Sequence, residues 1–227
     1  YEGLRTIGGD VSYDIPHRVK DGYGINKNLI DKAHEDGVKC IITCDNGIAA
    51  RDAVDYAMSL DIDVVVTDHH EVPKIIKDGN EVEIIPEASA VIDPKQSACS
   101  YPFKEICGGV VAFKLIEYLF LIKGVDKEEF YEKFLPYAAI ATVCDVMPLT
   151  NENRVIVSEG IKLLRESKDL GLNALIEAAD IKKDDIDVYH LGFIIGPTIN
   201  SSGRLESAKE SLELFLEKDY SIALEKA

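Results

Sequence analysis

The chain has 227 residues, is 46% hydrophobic and 29% charged, and carries a formal net charge of −16. That balance suits a globular protein with a sizeable core and argues against a broad cationic grip on nucleic acid, while leaving room for a local cationic track or bound metal. No run approaches the ~20 apolar residues of a membrane span, and no basic-then-apolar leader is visible, so a cytoplasmic protein with no membrane contact is expected.

In chain order, "YEGLRTIGGD" reads as the end of a helix stopped by Gly8 and Gly9. "DVSYDI" (10–15) reads as a short strand and "PHRVKDGYGIN" as a punctuated loop. A helix is expected over Asn28–Glu35, a strand at Cys40–Cys44, a helix over Ala49–Leu60, then strands at "DVVVT" (63–67) and "SAVID" (89–93). Strand, helix, strand at this spacing is a βαβ unit with parallel neighbours. The unalternating "CIIT" and "VVV" predict strands covered on both faces. Helices follow at Val110–Ile122, Lys127–Cys144 with a break expected at Pro136, Val155–Arg165 and Leu172–Ala179. The fold class is α/β: a parallel sheet flanked by helices, with a mainly helical C-terminal half. Cys40, Cys44, Cys99, Cys107 and Cys144 form no C-x-x-C pair, which points to a reducing compartment and away from a zinc–cysteine site.

Ligands of open parallel sheets bind beyond the carboxyl ends of the strands. Asp45 of "CIITCDNG" and Asp68–His69–His70 of "VVVTDHH" stand at two such ends. Adjacent parallel strands lie about 4.8 Å apart, so neighbouring strands bring these groups together. Carboxylate plus imidazole suits Mn²⁺, Fe²⁺ or Zn²⁺ better than Mg²⁺ alone. The plainer alternative for Asp45 is an N-cap of the next helix. Asp145, in "AAIATVCDVMPLT", stands where a helix ends before Pro148. An acid is unfavourable at that end of the helix dipole, so either a nearby cation compensates it or it is a solvated loop acid. "GPTINSSGR" reads as a Gly/Ser-rich loop in which Asn200, the serines and Arg204 either form a plain turn or grip phosphate.

Together "DNG", "TDHHEVP", "ATVCDVMPL" and "GPTINSSGR", in this order, resemble the DHH phosphoesterase superfamily, and within it the RecJ-type single-strand-specific 5′→3′ exonucleases. The resemblance covers about Tyr1 to Ala208. It implies two-metal hydrolysis of phosphodiesters in single-stranded DNA, in repair and recombination, with two Mn²⁺ or Mg²⁺ ions. By the same resemblance Asp45 bridges the ions, and His69 and Asp145 are further ligands. His70 faces the scissile phosphate, Asp68 orients a histidine, and Arg18, Asn200 and Arg204 contact nucleic-acid phosphate. The resemblance also implies departures. No D-x-D motif precedes "DNG", "DID" at Asp61–Asp63 stands at the wrong end of its strand, and Thr198 replaces an arginine common in the branch. The expected organisation is a DHH domain over 1–205 without its first strand, then at 206–227 the start of a helix leading to an absent second domain. Such a chain is expected to be incomplete or inactive by itself. The alternatives are a DHH phosphodiesterase for short oligonucleotides or cyclic dinucleotides, and a non-catalytic relative that binds DNA or protein.

Overall fold

The computed structural model describes residues 1–16, 24–205 and 208–227, with the helical backbone alone over 201–205. The chain divides into two compact units, one of residues 16–112 and one of residues 1–15 with 113–227.

The chain opens with α1 (Glu2–Thr6), the expected helix end, and Gly8 takes a left-handed φ of 90°. Residues 10–15 alternate between partly buried and exposed side chains but join no sheet among the described residues, contrary to the strand expected there. Alternation specifies an extended backbone; a strand also needs a neighbour to bond.

The sheet unit begins with α2 (Lys27–Glu35), whose first turn is closed by the Asn26 side chain accepting from the Leu29 N–H at 3.2 Å. Then come β1 (Cys40–Ile42), α3 (Arg51–Ser59), β2 (Asp63–Thr67), β3 (Lys74–Lys77), β4 (Asn80–Glu83) and β5 (Ala90–Ile92). The strands β1, β2 and β5 form a parallel sheet in that order, with Ile42 paired to Val65 and Thr67 to Ile92. Ile30, Val54, Ala57, Val64 and Val66 make a core between the helices and one sheet face. The outer strands leave Cys40, Ile42, Ala90 and Ile92 exposed, so coverage of both faces holds only for β2. An unalternating β-branched run reports strand propensity as well as two-sided burial.

The hairpin β3–β4 is an addition to the expected elements. Its turn residues Asp78 and Gly79 take φ of 53° and 81°, both positive, as a type I′ turn requires.

The remaining helices are α4 (Gly108–Lys123), α5 (Lys127–Cys144), α6 (Asn151–Glu166), α7 (Leu170–Ala178), α8 (Val188–His190), α9 (Gly196–Leu205), α10 (Ala208–Leu216) and α11 (Tyr220–Lys226). The core of the helical unit includes Ile140, Val157, Leu164, Leu175, Leu191 and Ile195. Burial of one such side chain contributes about 1.5–3 kcal/mol. α5 runs unbroken through the buried Pro136. Proline removes one N–H and strands the carbonyl four residues back; here that residue is Glu132, which is exposed and open to water. Gly160 lets α6 approach α5 closely, since a Cβ there would lie 2.5 Å from the Ala139 Cβ and 2.8 Å from the Leu135 carbonyl oxygen.

"GPTINSSGR" is α9, not a loop. A π-helical turn at Leu191–Ile195 leads directly into it, so helix is already nucleated when Pro197 is reached, and its fixed φ suits the helix. The chain from 208 onward folds as α10 and α11, which pack on α7; Gly171 brings α7 against the Leu214 carbonyl.

Candidate metal centre

The pairing of β1, β2 and β5 continues past their last strand residues and sets the height of each acid. The Thr43 N–H donates to the Val65 carbonyl, the Asp45 N–H to the Thr67 carbonyl and the Asp68 N–H to the Ile92 carbonyl, each at 3.0 Å. Below them Thr67 Oγ1 donates to the Thr43 carbonyl at 2.6 Å, and the Thr67 N–H donates to Thr43 Oγ1 at 3.2 Å. These buried hydroxyls tie the two strand ends together.

Asp45 turns the chain off the sheet with φ of 62°, a left-handed conformation that aspartate tolerates. Gly47 follows at φ of 116°, where a Cβ would press on Thr43 Oγ1 and Val66 Cγ1, each at 3.0 Å. The N-cap position of α3 is Ala50, with no side-chain cap bond; Asp45 therefore does not cap that helix. Its side chain instead meets the start of α4, where a Cβ on Gly108 would lie 2.6 Å from the Asp45 Cβ. The positive end of that helix dipole favours a carboxylate there.

His69 Nε2 lies 3.1 Å from Asp45 Oδ1, and the His69 side chain is mostly buried. One ligand atom each from Asp45, His69 and His70 falls within 4.8 Å of the others. That mixed oxygen and nitrogen set suits Mn²⁺ or Zn²⁺.

Asp68 sits beneath them, 1% exposed. Its Oδ2 accepts the Ile48 N–H at 2.9 Å, and its Oδ1 accepts the His69 N–H at 2.8 Å and approaches His70 Nδ1 at 2.6 Å. Burial pushes its pKa up, but the Ile48 N–H, His70 and the His69 N–H together hold it below the usual carboxylate range. An ionised carboxylate only accepts, so His70 carries its proton on Nδ1 and presents Nε2 outward. The His70 side chain is 60% exposed.

The structure thus brings Asp45, His69 and His70 together and joins Asp68 to His70. Asp145 and Asn200 belong to the helical unit: Asp145 is exposed at the end of α5, its N–H donating to the Ala141 carbonyl, and Asn200 is exposed on α9. Arg204 lies in the backbone of α9, and Arg18 falls outside the described residues.

Asp93 is a further acid, one that the sequence marks only as a strand end. It follows β5 directly, beside Asp68 in the extended register, and is 1% exposed. Its Oδ1 accepts the Lys95 N–H at 2.7 Å, while its Oδ2 is buried without a partner. Burial raises its pKa; the Lys95 N–H opposes this, the neighbouring Asp68 charge adds to it, and His69 and His70 reduce it. The signal that could have found Asp93 is the one that singled out Asp45 and Asp68: an acid closing a β-branched strand.

Residues 1–142 match the DHH family, N-terminal domain. The single-stranded-DNA-specific exonuclease RecJ of Bacillus subtilis (strain 168) is 37% identical over 216 residues, 95% of this chain and 25% of that protein. A crystal structure of exonuclease RecJ bound to manganese superposes with a TM-score of 0.83 at 29% identity, covering 99% of this chain and 54% of that one. RecJ in complex with Mn²⁺ from Thermus thermophilus gives 0.79 at 27% identity, covering 99% and 30%. The chain therefore spans about a quarter of the length of its Bacillus relative and about half of the first of these structures, and on the family match over residues 1–142 it belongs to the DHH family.

Proposed function

We propose that the chain carries catalytic groups of a metal-dependent, single-stranded-DNA-specific 5′→3′ exonuclease acting in DNA repair and recombination. The observation that supports this most directly is the cluster of Asp45, His69 and His70 at the ends of two adjacent parallel strands, with Asp68 fixed beneath it. The relatives support the substrate class, since they are named single-stranded-DNA-specific exonucleases. Mn²⁺, or Mg²⁺ in its place, is the proposed ion.

Asp45 and His69 hold the ion through oxygen and nitrogen atoms already 3.1 Å apart. When bound, such ions polarise the phosphoryl oxygens and lower the pKa of the attacking water. Asp68 holds His70 in one tautomer, so that Nε2 accepts or returns a proton, or bonds a phosphoryl oxygen. Asp145, Arg18, Asn200 and Arg204 enter this proposal on their sequence motifs: Asp145 as a further ligand, the others as phosphate contacts. A cytoplasmic location fits the five free cysteines.

Calorimetric titration of the chain with Mn²⁺ tests the reading. One ion is expected to bind, and Asp45→Ala and His69→Ala to lose that binding while keeping the fold by circular dichroism. Wild-type affinity in both variants would overturn the metal assignment. In the presence of Mn²⁺, tighter binding of a long single strand than of a dinucleotide is expected; equal binding would move the substrate to the small phosphodiesters.

A further inference from the structure

Asn173 Oδ1 and Asp93 Oδ2 are buried side-chain atoms without a hydrogen-bond partner among the described residues. Asn173 is a neutral amide of the helical unit. Asp93 is a carboxyl group, and an unpaired buried carboxylate costs far more than an unpaired amide oxygen. Its surroundings make that cost acute, because Asp68, another buried acid, is its neighbour across the strand ends.

The backbone holds Asp93 there firmly. Its Oδ1 closes a turn on the Lys95 N–H, and its carbonyl accepts from Gln96 Nε2 at 3.0 Å. Lys95 then reaches Glu105 at 2.7 Å and Glu71, the residue after His70, at 3.4 Å. The turn after β5 is thus tied to the loop that carries the histidines. Everything about Asp93 is fixed except the use of its second oxygen.

We propose that Asp93 is a positioning residue of the divalent-cation site, its buried Oδ2 supplying negative charge beside Asp68 at the strand ends that carry the ligands. The inference rests on the metal reading above. Asp93 is not itself one of the clustered ligands, whose donor atoms come from Asp45, His69 and His70. It acts through its charge and not through a bond to a ligand; loss of an outer carboxylate in a metal site typically weakens binding by about 10–100-fold.

The test is Mn²⁺ calorimetry and thermal unfolding on the 227-residue chain, comparing wild type with Asp93→Asn and with Asp45→Ala. Asparagine keeps the shape and the acceptor for the Lys95 N–H while removing the charge. The expected result is roughly 10-fold or greater loss of Mn²⁺ affinity, with a metal-free melting temperature equal to or above wild type. A structural role predicts the reverse: a lowered melting temperature and unchanged affinity. Either of those findings overturns the inference. If Asp93→Asn does not fold, Asp93→Ser, which also accepts the Lys95 N–H, takes its place under the same criteria. Wild-type affinity in Asp45→Ala would mean the metal reading itself has failed; loss in Asp45→Ala with none in Asp93→Asn would defeat only the role of Asp93.

Discussion

Thr43, Thr67, Asp68 and Asp93 are buried polar side chains of the sheet unit, while Thr142 and Asn153 are those of the helical unit. The two sets are used differently. Thr142 Oγ1 bonds the Ala138 carbonyl one turn back, and Asn153 Nδ2 bonds the Pro148 carbonyl just ahead of its own helix. Those are local bonds that close helix turns. In the sheet unit, Thr43, Thr67 and Asp68 bond across elements, and both acids lie beyond strand ends. Burying charge is expensive, so a fold places it where bonds from several elements converge. Among the described residues, the buried acids lie at the strand ends of the sheet unit, and the helical unit buries no charged side chain.

Breaking Asp68 should expose that difference most. Asp68→Ala removes the acceptor for the Ile48 and His69 N–H groups and for His70 together. Hydrogen bonds to a charged group are worth about 1.5–3 kcal/mol each, so a loss of about 3 kcal/mol or more is expected in urea unfolding, and a loss under ~1 kcal/mol would refute the convergence. The same residue sets an acid limb. Because its folded pKa lies below the usual carboxylate range, its stabilisation is fully present at neutral pH. It declines as pH falls below the ordinary carboxylate pKa of about 4 and is gone below the folded value. Asp68→Asn should flatten that limb in urea unfolding measured from about pH 6 to about pH 2.

Two glycines sharpen the contrast at smaller cost. Gly160→Ala forces a Cβ against Ala139 and the Leu135 carbonyl inside the helix pair, an overpacking expected to cost about 1–3 kcal/mol. Mn²⁺ affinity should be untouched. Gly108→Ala places its Cβ against Asp45, and here the expected result is the inverse: Mn²⁺ affinity falls by more than stability does. Equal effects on both properties in the two variants would erase the distinction between the units.

The part of this arrangement legible in the sequence was the part governed by short-range rules. β-branched runs ending in acids located β1, β2 and β5 and placed Asp45, Asp68 and the histidines at one sheet edge. Tertiary context decided the rest. Val11 to Ile15 alternates as a strand should but finds no neighbour to pair with among the described residues. Pro136 stays helical because packing against α6 outweighs one lost hydrogen bond. The glycines and serines of "GPTINSSGR" follow an established helix. Two further features carry a short-range signal of their own: the Asp78–Gly79 hairpin turn and the acid that closes β5. Asp93 looked like a strand end followed by Pro94, and only its burial marks it as more.

The smallest predicted effect concerns a place where the helical unit carries backbone strain of the kind common at sites. α5 closes with a Schellman pattern: the Val146 N–H bonds the Val143 carbonyl and the Met147 N–H bonds the Thr142 carbonyl, each at 3.1 Å. The residue at the left-handed position is Val146, with φ of 56°. A β-branched residue is unfavourable there, by roughly 1–2 kcal/mol. Nor does its side chain compensate by packing, since Val146 is 87% exposed. Glycine removes the strain but adds backbone freedom to the unfolded chain, worth about 0.5–1 kcal/mol, so Val146→Gly should stabilise by no more than about 1.5 kcal/mol. Strain of this sort persists when neighbouring residues must be held in place, and the neighbour here is Asp145. If thermal unfolding shows the expected gain in Val146→Gly, the valine is kept for something other than stability. A loss instead would mean that valine suits this turn, and the helical unit would then be a packing scaffold along the whole of α5.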